Sequence, residues 1–79
     1  MMIRVKLIAT YRYRLPPEAK NGEAELNVRE GTTVREAVAR FGIPLDDTSV
    51  IVLNGLTVDL NTPVSEGDTV AAFSAIAGG

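Results

Sequence analysis

The sequence predicts an α+β domain, a mixed sheet of about five strands with one main helix packed on one face. Three observations predict it. Ile3, Val5, Leu7 and Ala9 alternate with Arg4, Lys6, Ile8 and Thr10, the period-2 pattern of a strand with one buried face. Thr33-Val34-Arg35-Glu36 has the Thr-x-x-Glu spacing of a capping box, in which hydroxyl and carboxylate each satisfy a free backbone N–H at a helix start. Asn54-Gly55 follows an apolar run and is a strong hairpin turn.

The elements follow in order. Strand one is expected at about 2–10. Tyr11 to Gly22 carries Pro16-Pro17 and Asn21-Gly22, a connection too long and too rich in turn formers for a tight hairpin, with Leu15 as its apolar anchor. Ala24, Leu26 and Val28 alternate with Glu23, Glu25 and Asn27, a second strand that should pair antiparallel with the first and ends at Glu30-Gly31. Behind the capping box, Val34, Ala37, Val38 and Phe41 fall at i, i+3, i+4 and i+7, one apolar stripe. Gly42 suits the left-handed position after the last turn and Pro44 prevents continuation, so the helix should span 34–41. Val50 to Leu53 reads as a wholly apolar strand, Leu56 to Leu60 as its return, and Thr69 to Phe73 as the last strand after turns at Asn61-Thr62-Pro63 and Glu66-Gly67-Asp68. Two strands, a helix and three more strands, with a long crossover over the helix, is the order of the β-grasp or ubiquitin-like architecture.

Composition restricts function. The chain has 79 residues, 46% of them hydrophobic and 23% charged, with a net charge of −2. No apolar run approaches the ~20 residues of a membrane span, and Arg4 and Lys6 interrupt what could otherwise resemble a leader. The expectation is a cytoplasmic protein bound neither to membranes nor, lacking a basic footprint, to nucleic acid. There is no cysteine and no histidine, hence no thiol nucleophile, no imidazole base and none of the usual zinc ligands. Independent catalysis and a bound metal or cofactor are not expected. The ten carboxylates are dispersed, and Asp46-Asp47 reads as solvated turn residues.

The chain closes on Gly78-Gly79. Two residues without Cβ atoms make a narrow backbone that another protein's active site can enclose to reach the terminal carboxyl group. The domain is expected over 1–73, with 74–79 as a flexible tail. Beside that tail, the face the helix cannot cover should expose Ile8, Ile51, Leu53 and Phe73, with Ile76 following, as an apolar partner-binding patch. Arg12 and Arg14 either rim that patch for an acidic partner or are simply solvated.

Taken together, Arg4-Val5-Lys6-Leu7 with Ala9, Gly31-Thr32-Thr33-Val34, Val52-Leu53-Asn54-Gly55, Glu66-Gly67-Asp68 and the Ala77-Gly78-Gly79 end resemble the ubiquitin-like sulfur carriers. These comprise the small subunit of molybdopterin synthase and the thiazole-pathway carrier of thiamine synthesis. The resemblance spans the whole chain. The long Tyr11–Gly22 connection and Asp59-Leu60-Asn61-Thr62-Pro63 look more like the molybdopterin branch, while Ser74-Ala75 departs from it, because that branch commonly has prolines there. The resemblance implies that an activating enzyme uses ATP to adenylate Gly79, and that a sulfur donor protein converts the adenylate to a thiocarboxylate. Gly78 gives access to the tail, and a large synthase subunit or thiazole synthase receives the sulfur. A ubiquitin-like modifier joined through Gly79 to a lysine, and a non-covalent β-grasp interaction module, remain alternatives on sequence.

Overall fold

The computed structural model describes residues 1–75. Five strands form one sheet: β1 (Met2–Leu7), β2 (Glu23–Asn27), β3 (Ser49–Leu53), β4 (Leu56–Thr57) and β5 (Thr69–Ser74). Their spatial order is β2-β1-β5-β3-β4. β1 and β5 run parallel, and the other neighbours are antiparallel. The helix α1 (Val34–Ala39) covers one face, so the β-grasp expectation holds.

The core lies between that helix and the sheet. Ile3, Val5 and Leu7 of β1, Val70 and Ala72 of β5 and Ile51 of β3 meet Val34, Ala37 and Val38 of α1, all of them buried. Alternation explains β1: its burial switches residue by residue from Met2 to Leu7, as a strand covered on one side requires. Leu15 packs against the same core, as expected of the connection's anchor.

The helix begins where the capping box puts it. The Glu36 amide donates to the Thr33 hydroxyl at 3.2 Å, and the Thr33 amide donates to the Glu36 carboxylate at 3.0 Å. Two further N-terminal amides are satisfied from outside the helix: Val34 donates to the Thr62 carbonyl and Arg35 to the Leu60 carbonyl. Those bonds explain why β4 ends at Thr57 rather than at Leu60. The segment after Thr57 leaves the sheet to supply acceptors to α1, since amides in a helix's first turn have no partner within it. At the other end the helix stops at Ala39, two residues short of the expected 41. The Phe41 amide bonds back to the Val38 carbonyl in the tighter 3-10 manner, and Gly42 follows at φ 75°.

Two other elements differ from the sequence expectation. Strand one ends at Leu7 rather than at residue 10, because Ala9 takes a positive φ of 55° and the chain enters a 3-10 helix, Ala9–Arg14. Ala9 is therefore exposed rather than part of the buried set. The Tyr11–Gly22 connection does end in a tight turn. Asn21 and Gly22 both have positive φ, and Lys20 and Glu23 exchange backbone bonds at 3.1 and 3.0 Å, the geometry of a two-residue hairpin.

One face assignment is reversed. Ile51 and Leu53 were expected on the uncovered face, but Ile51 is 2% exposed within the core, and Leu53 is half-buried and packs against it. The register sets this: Ile51 lies opposite Ala72 and Leu53 opposite Val70, both core residues of β5. Directly opposed residues of neighbouring strands share a face. Ile51→Ala should consequently reduce unfolding free energy by ~2–5 kcal/mol in a urea titration; a loss below ~0.5 kcal/mol would mark it as a surface residue after all.

Candidate functional site: the end of β5 and the uncovered sheet face

β5 occupies the middle of the sheet, between β1 and β3, and carries the chain toward its final residues. Val70 and Ala72 point into the core and are fully buried. Thr69, Ala71 and Phe73 thus lie on the opposite face. On that face Phe73 is paired with Val50, and Ala71 with Val52 on one side and Lys6 on the other. Ile8 follows β1 and donates its amide to the Ala72 carbonyl, which sets it beside the end of β5; it is 38% exposed. Val50, Val52, Ala71 and Phe73 are half-buried.

The uncovered face therefore has two halves. Toward β2 it is charged, with Arg4 opposite Glu25 and Lys6 opposite Glu23, cross-strand neighbours of opposite sign. Toward β3 it is apolar, with Phe73 at its head. Of the residues expected there, Phe73 and Ile8 lie on this face and Ile51 and Leu53 do not. Val50 and Val52, the alternate residues of β3, take their positions. Ile76, Gly78 and Gly79 lie outside the described residues.

Polar contacts surround the point where the strand ends. β5 extends through Ser74, one residue beyond the expected domain limit, and the Ala75 amide donates to the Thr48 carbonyl at 2.7 Å. Thr48 belongs to a turn closed by Asp46, whose Oδ1 accepts the Thr48 amide at 2.8 Å and the Thr48 hydroxyl at 2.6 Å. The Asp46 amide donates to Ser49 Oγ at 3.1 Å, and the same Oγ meets the Tyr11 hydroxyl at 2.7 Å. Tyr11 packs against the core, so the 3-10 helix is tied into this cluster. Sequence reasoning read Asp46 only as a solvated turn residue. The Asp-x-Thr-Ser spacing before an apolar strand was the available signal, since short polar side chains bond to backbone groups two or three residues on.

Among the described residues no group of three or more metal-ligating side chains occurs. An open depression of about 420 Å³, lined by Arg4, Lys20, Glu23 and Glu25 among others, lies by the charged half of the sheet, and no serine, threonine or tyrosine hydroxyl lines it. The arrangement sets the end of β5 beside a half-buried apolar surface.

Comparison with known proteins bears on the family and the fold. The ThiS family model matches residues 5–79, and the chain belongs to this family of ubiquitin-like sulfur carriers. Small archaeal modifier protein 1 of Haloferax volcanii superimposes with a TM-score of 0.75 at 20% identity, each chain covered in full. A protein assigned as molybdopterin converting factor subunit 1 from Pyrococcus furiosus gives 0.69 at 25% identity, over 95% of this chain and 98% of that one. A chain from the complex of subunits 1 and 2 of molybdopterin-converting factor from Helicobacter pylori gives 0.62 at 21%, again with both chains covered in full. No curated protein matches the sequence.

The Thr48 hydroxyl, and next the Thr48 amide, hold the Asp46 carboxyl below the ordinary aspartate range. A depressed folded value means that the turn's ionic contribution is present above the unfolded value and is lost as pH falls through the folded one. Carbon-detected NMR titration should find the Asp46 midpoint below the ordinary aspartate value, and Thr48→Val should raise it. A midpoint unmoved by that substitution would contradict the hydroxyl as its principal cause.

Proposed function

We propose that this chain is a sulfur carrier whose Gly79 carboxyl group is converted to a thiocarboxylate, most specifically as the small subunit of a molybdopterin synthase. The observation that carries the proposal is the placement of β5: its buried residues fasten it at the sheet centre, its end emerges beside an apolar surface headed by Phe73, and the sequence beyond it ends in Gly78-Gly79.

The chemistry suits a chain with no cysteine or histidine. A carboxylate is a poor electrophile, so an activating enzyme joins the Gly79 carboxylate to the α-phosphorus of ATP, and pyrophosphate leaves. Sulfide, or the sulfur of a donor protein's persulfide with a thiol as reductant, attacks the acyl carbon, and AMP leaves with the bonding pair. The thiocarboxylate that remains is ionised at neutral pH, and its sulfur is a polarisable nucleophile, so the carrier supplies no side chain to the reaction. Gly78 lets the partner's site close around the backbone. The chain itself binds no cofactor; ATP is consumed by the activating enzyme. The large-subunit assignment is supported by the subunit 1 and 2 complex among its structural neighbours, and by the long connection between β1 and β2. Conjugation to lysines is the second reading, favoured by the likeness to a protein named as a modifier; conjugate ladders in extract would reveal it.

Incubation with an activating enzyme, ATP and sulfide should exchange one oxygen for sulfur in the intact mass. Deleting Gly79 should abolish the exchange with the fold unaltered, and Gly78→Val should impair it. No mass change in the wild-type chain, with an enzyme proven on another carrier, would refute the carrier reading.

Phe73→Ala provides a separate check on the docking face. Truncating an aromatic anchor at an interface costs ~2 kcal/mol or more, so affinity for the large partner should fall roughly 30-fold, with a far smaller change in urea stability. Unchanged affinity with a large stability loss would place Phe73 in the core's economy rather than at the interface.

A further inference from the structure

The polar cluster at the end of β5 is not explained by the needs of the core. Asp46 and Ala75 are exposed, and Thr48, Ser49 and Ser74 are half-buried. Solvent-accessible hydrogen bonds of this kind exchange with water and contribute modestly to stability. What they do is geometric. The Thr48 carbonyl takes the Ala75 amide at 2.7 Å, one residue beyond the strand's last pair, Ser49 with Ser74. The Thr48 hydroxyl also lies 3.3 Å from Ser74 Oγ. Both functions of Thr48 depend on its orientation, and Asp46 Oδ1 sets that orientation by accepting from the Thr48 amide and hydroxyl together. Ser49, bonded to Tyr11 and to the Asp46 amide, braces the turn from the other side.

We infer that the Asp46–Thr48 turn is a positioning clasp for the chain end: Asp46 and Thr48 are positioning residues for the reaction at Gly79, acting through their hold on Ala75. The inference rests on the reading that Gly79 is the loaded position. With Ala75 held, the remaining reach is that of residues 76–79, at most ~14 Å when fully extended. Thr48 fixes the point, at Ala75, from which that reach begins. A tether starting from a fixed point presents its carboxyl group in fewer orientations than one fraying back into the strand, and misplacement of a reacting group by about 1 Å can cost 10²-fold in rate.

The test uses the full chain with an adenylating enzyme, ATP and sulfide, reading thiocarboxylate formation by intact mass. Asp46→Ala removes both bonds to Thr48 at an exposed position. It should lower kcat about tenfold, with KM for the carrier within about twofold. Asp46→Asn keeps an oxygen acceptor at Oδ1 and should restore a rate near wild type. Unchanged kcat in Asp46→Ala, a loss confined to KM, or an Asn variant as slow as the Ala variant would each overturn the clasp; the last would point to charge rather than geometry. Amide exchange by NMR on the unbound chain gives a readout independent of the chemistry. The Ala75 amide should be protected at least about tenfold in the wild type and lose that protection in Asp46→Ala, and an unprotected wild-type Ala75 would overturn the inference by itself. A wild-type chain that gains no sulfur from an enzyme active on its own carrier refutes the Gly79 reading and the positioning role with it, whereas a wild type that is loaded while Asp46→Ala keeps its rate refutes the clasp alone.

Discussion

The burial of Val70 and Ala72 is the constraint on which the rest of the molecule depends. They lie on β5 between β1 and β3, and beneath α1. With that pair buried, the alternation of a strand leaves Ala71 and Phe73 no position but the uncovered face. The same pair fixes its neighbours. Leu7 faces inward because it is paired with Ala72, and Ile51 faces inward because it meets Ala72 from the other side. A one-residue slip of β5 would turn Phe73 into the core and expose Val70, moving the chain's exit and its apolar surroundings together. Core packing and the presentation of the chain end are thus one structural fact.

Legibility in the sequence varied with how much each element depends on distant partners. α1 was readable because its start is encoded within four residues, Thr33 to Glu36, and both reciprocal bonds form. β1 was readable because only one of its faces is apolar up to Leu7. The faces of β3 were not. Val50 to Leu53 is apolar throughout, since one side meets the core and the other belongs to the apolar half of the uncovered face, and a run without alternation has no local indication of direction. Only its register with β5 decides. The short β4 was hidden for a related reason: Leu60 and Thr62 serve the helix amides, a demand that arises only in the folded chain. The left-handed turn at Ala9 had no cue at all, because alanine seldom adopts positive φ.

The candidate site divides in the same way. Phe73 and Ile8 were legible as outward residues from their positions in alternating strands. Ile51 and Leu53 were misplaced, while Val50 and Val52 were missed with them, all four by the single ambiguity of β3. The polar cluster at Asp46 went unread because its purpose depends on Ala75, twenty-nine residues further along. Local spacing identifies a turn but not what the turn's free carbonyl will accept.

The departure at Ser74-Ala75 has a physical consequence here. A proline at residue 75 would set φ but would have no N–H to give to Thr48. This chain has an alanine, and its amide makes that bond at 2.7 Å. A chain end can be directed by covalent stiffness or by a hydrogen bond to a fixed acceptor, and these differ in what they permit. Stiffness persists when a partner arrives. A single hydrogen bond to the carbonyl of a half-buried residue can be exchanged for one to the partner at small net cost, which lengthens the available reach by a residue without disturbing Val70 or Ala72. The same contact can therefore hold Ala75 in the free chain and be exchanged during docking, with Asp46 bonded to the residue that holds it.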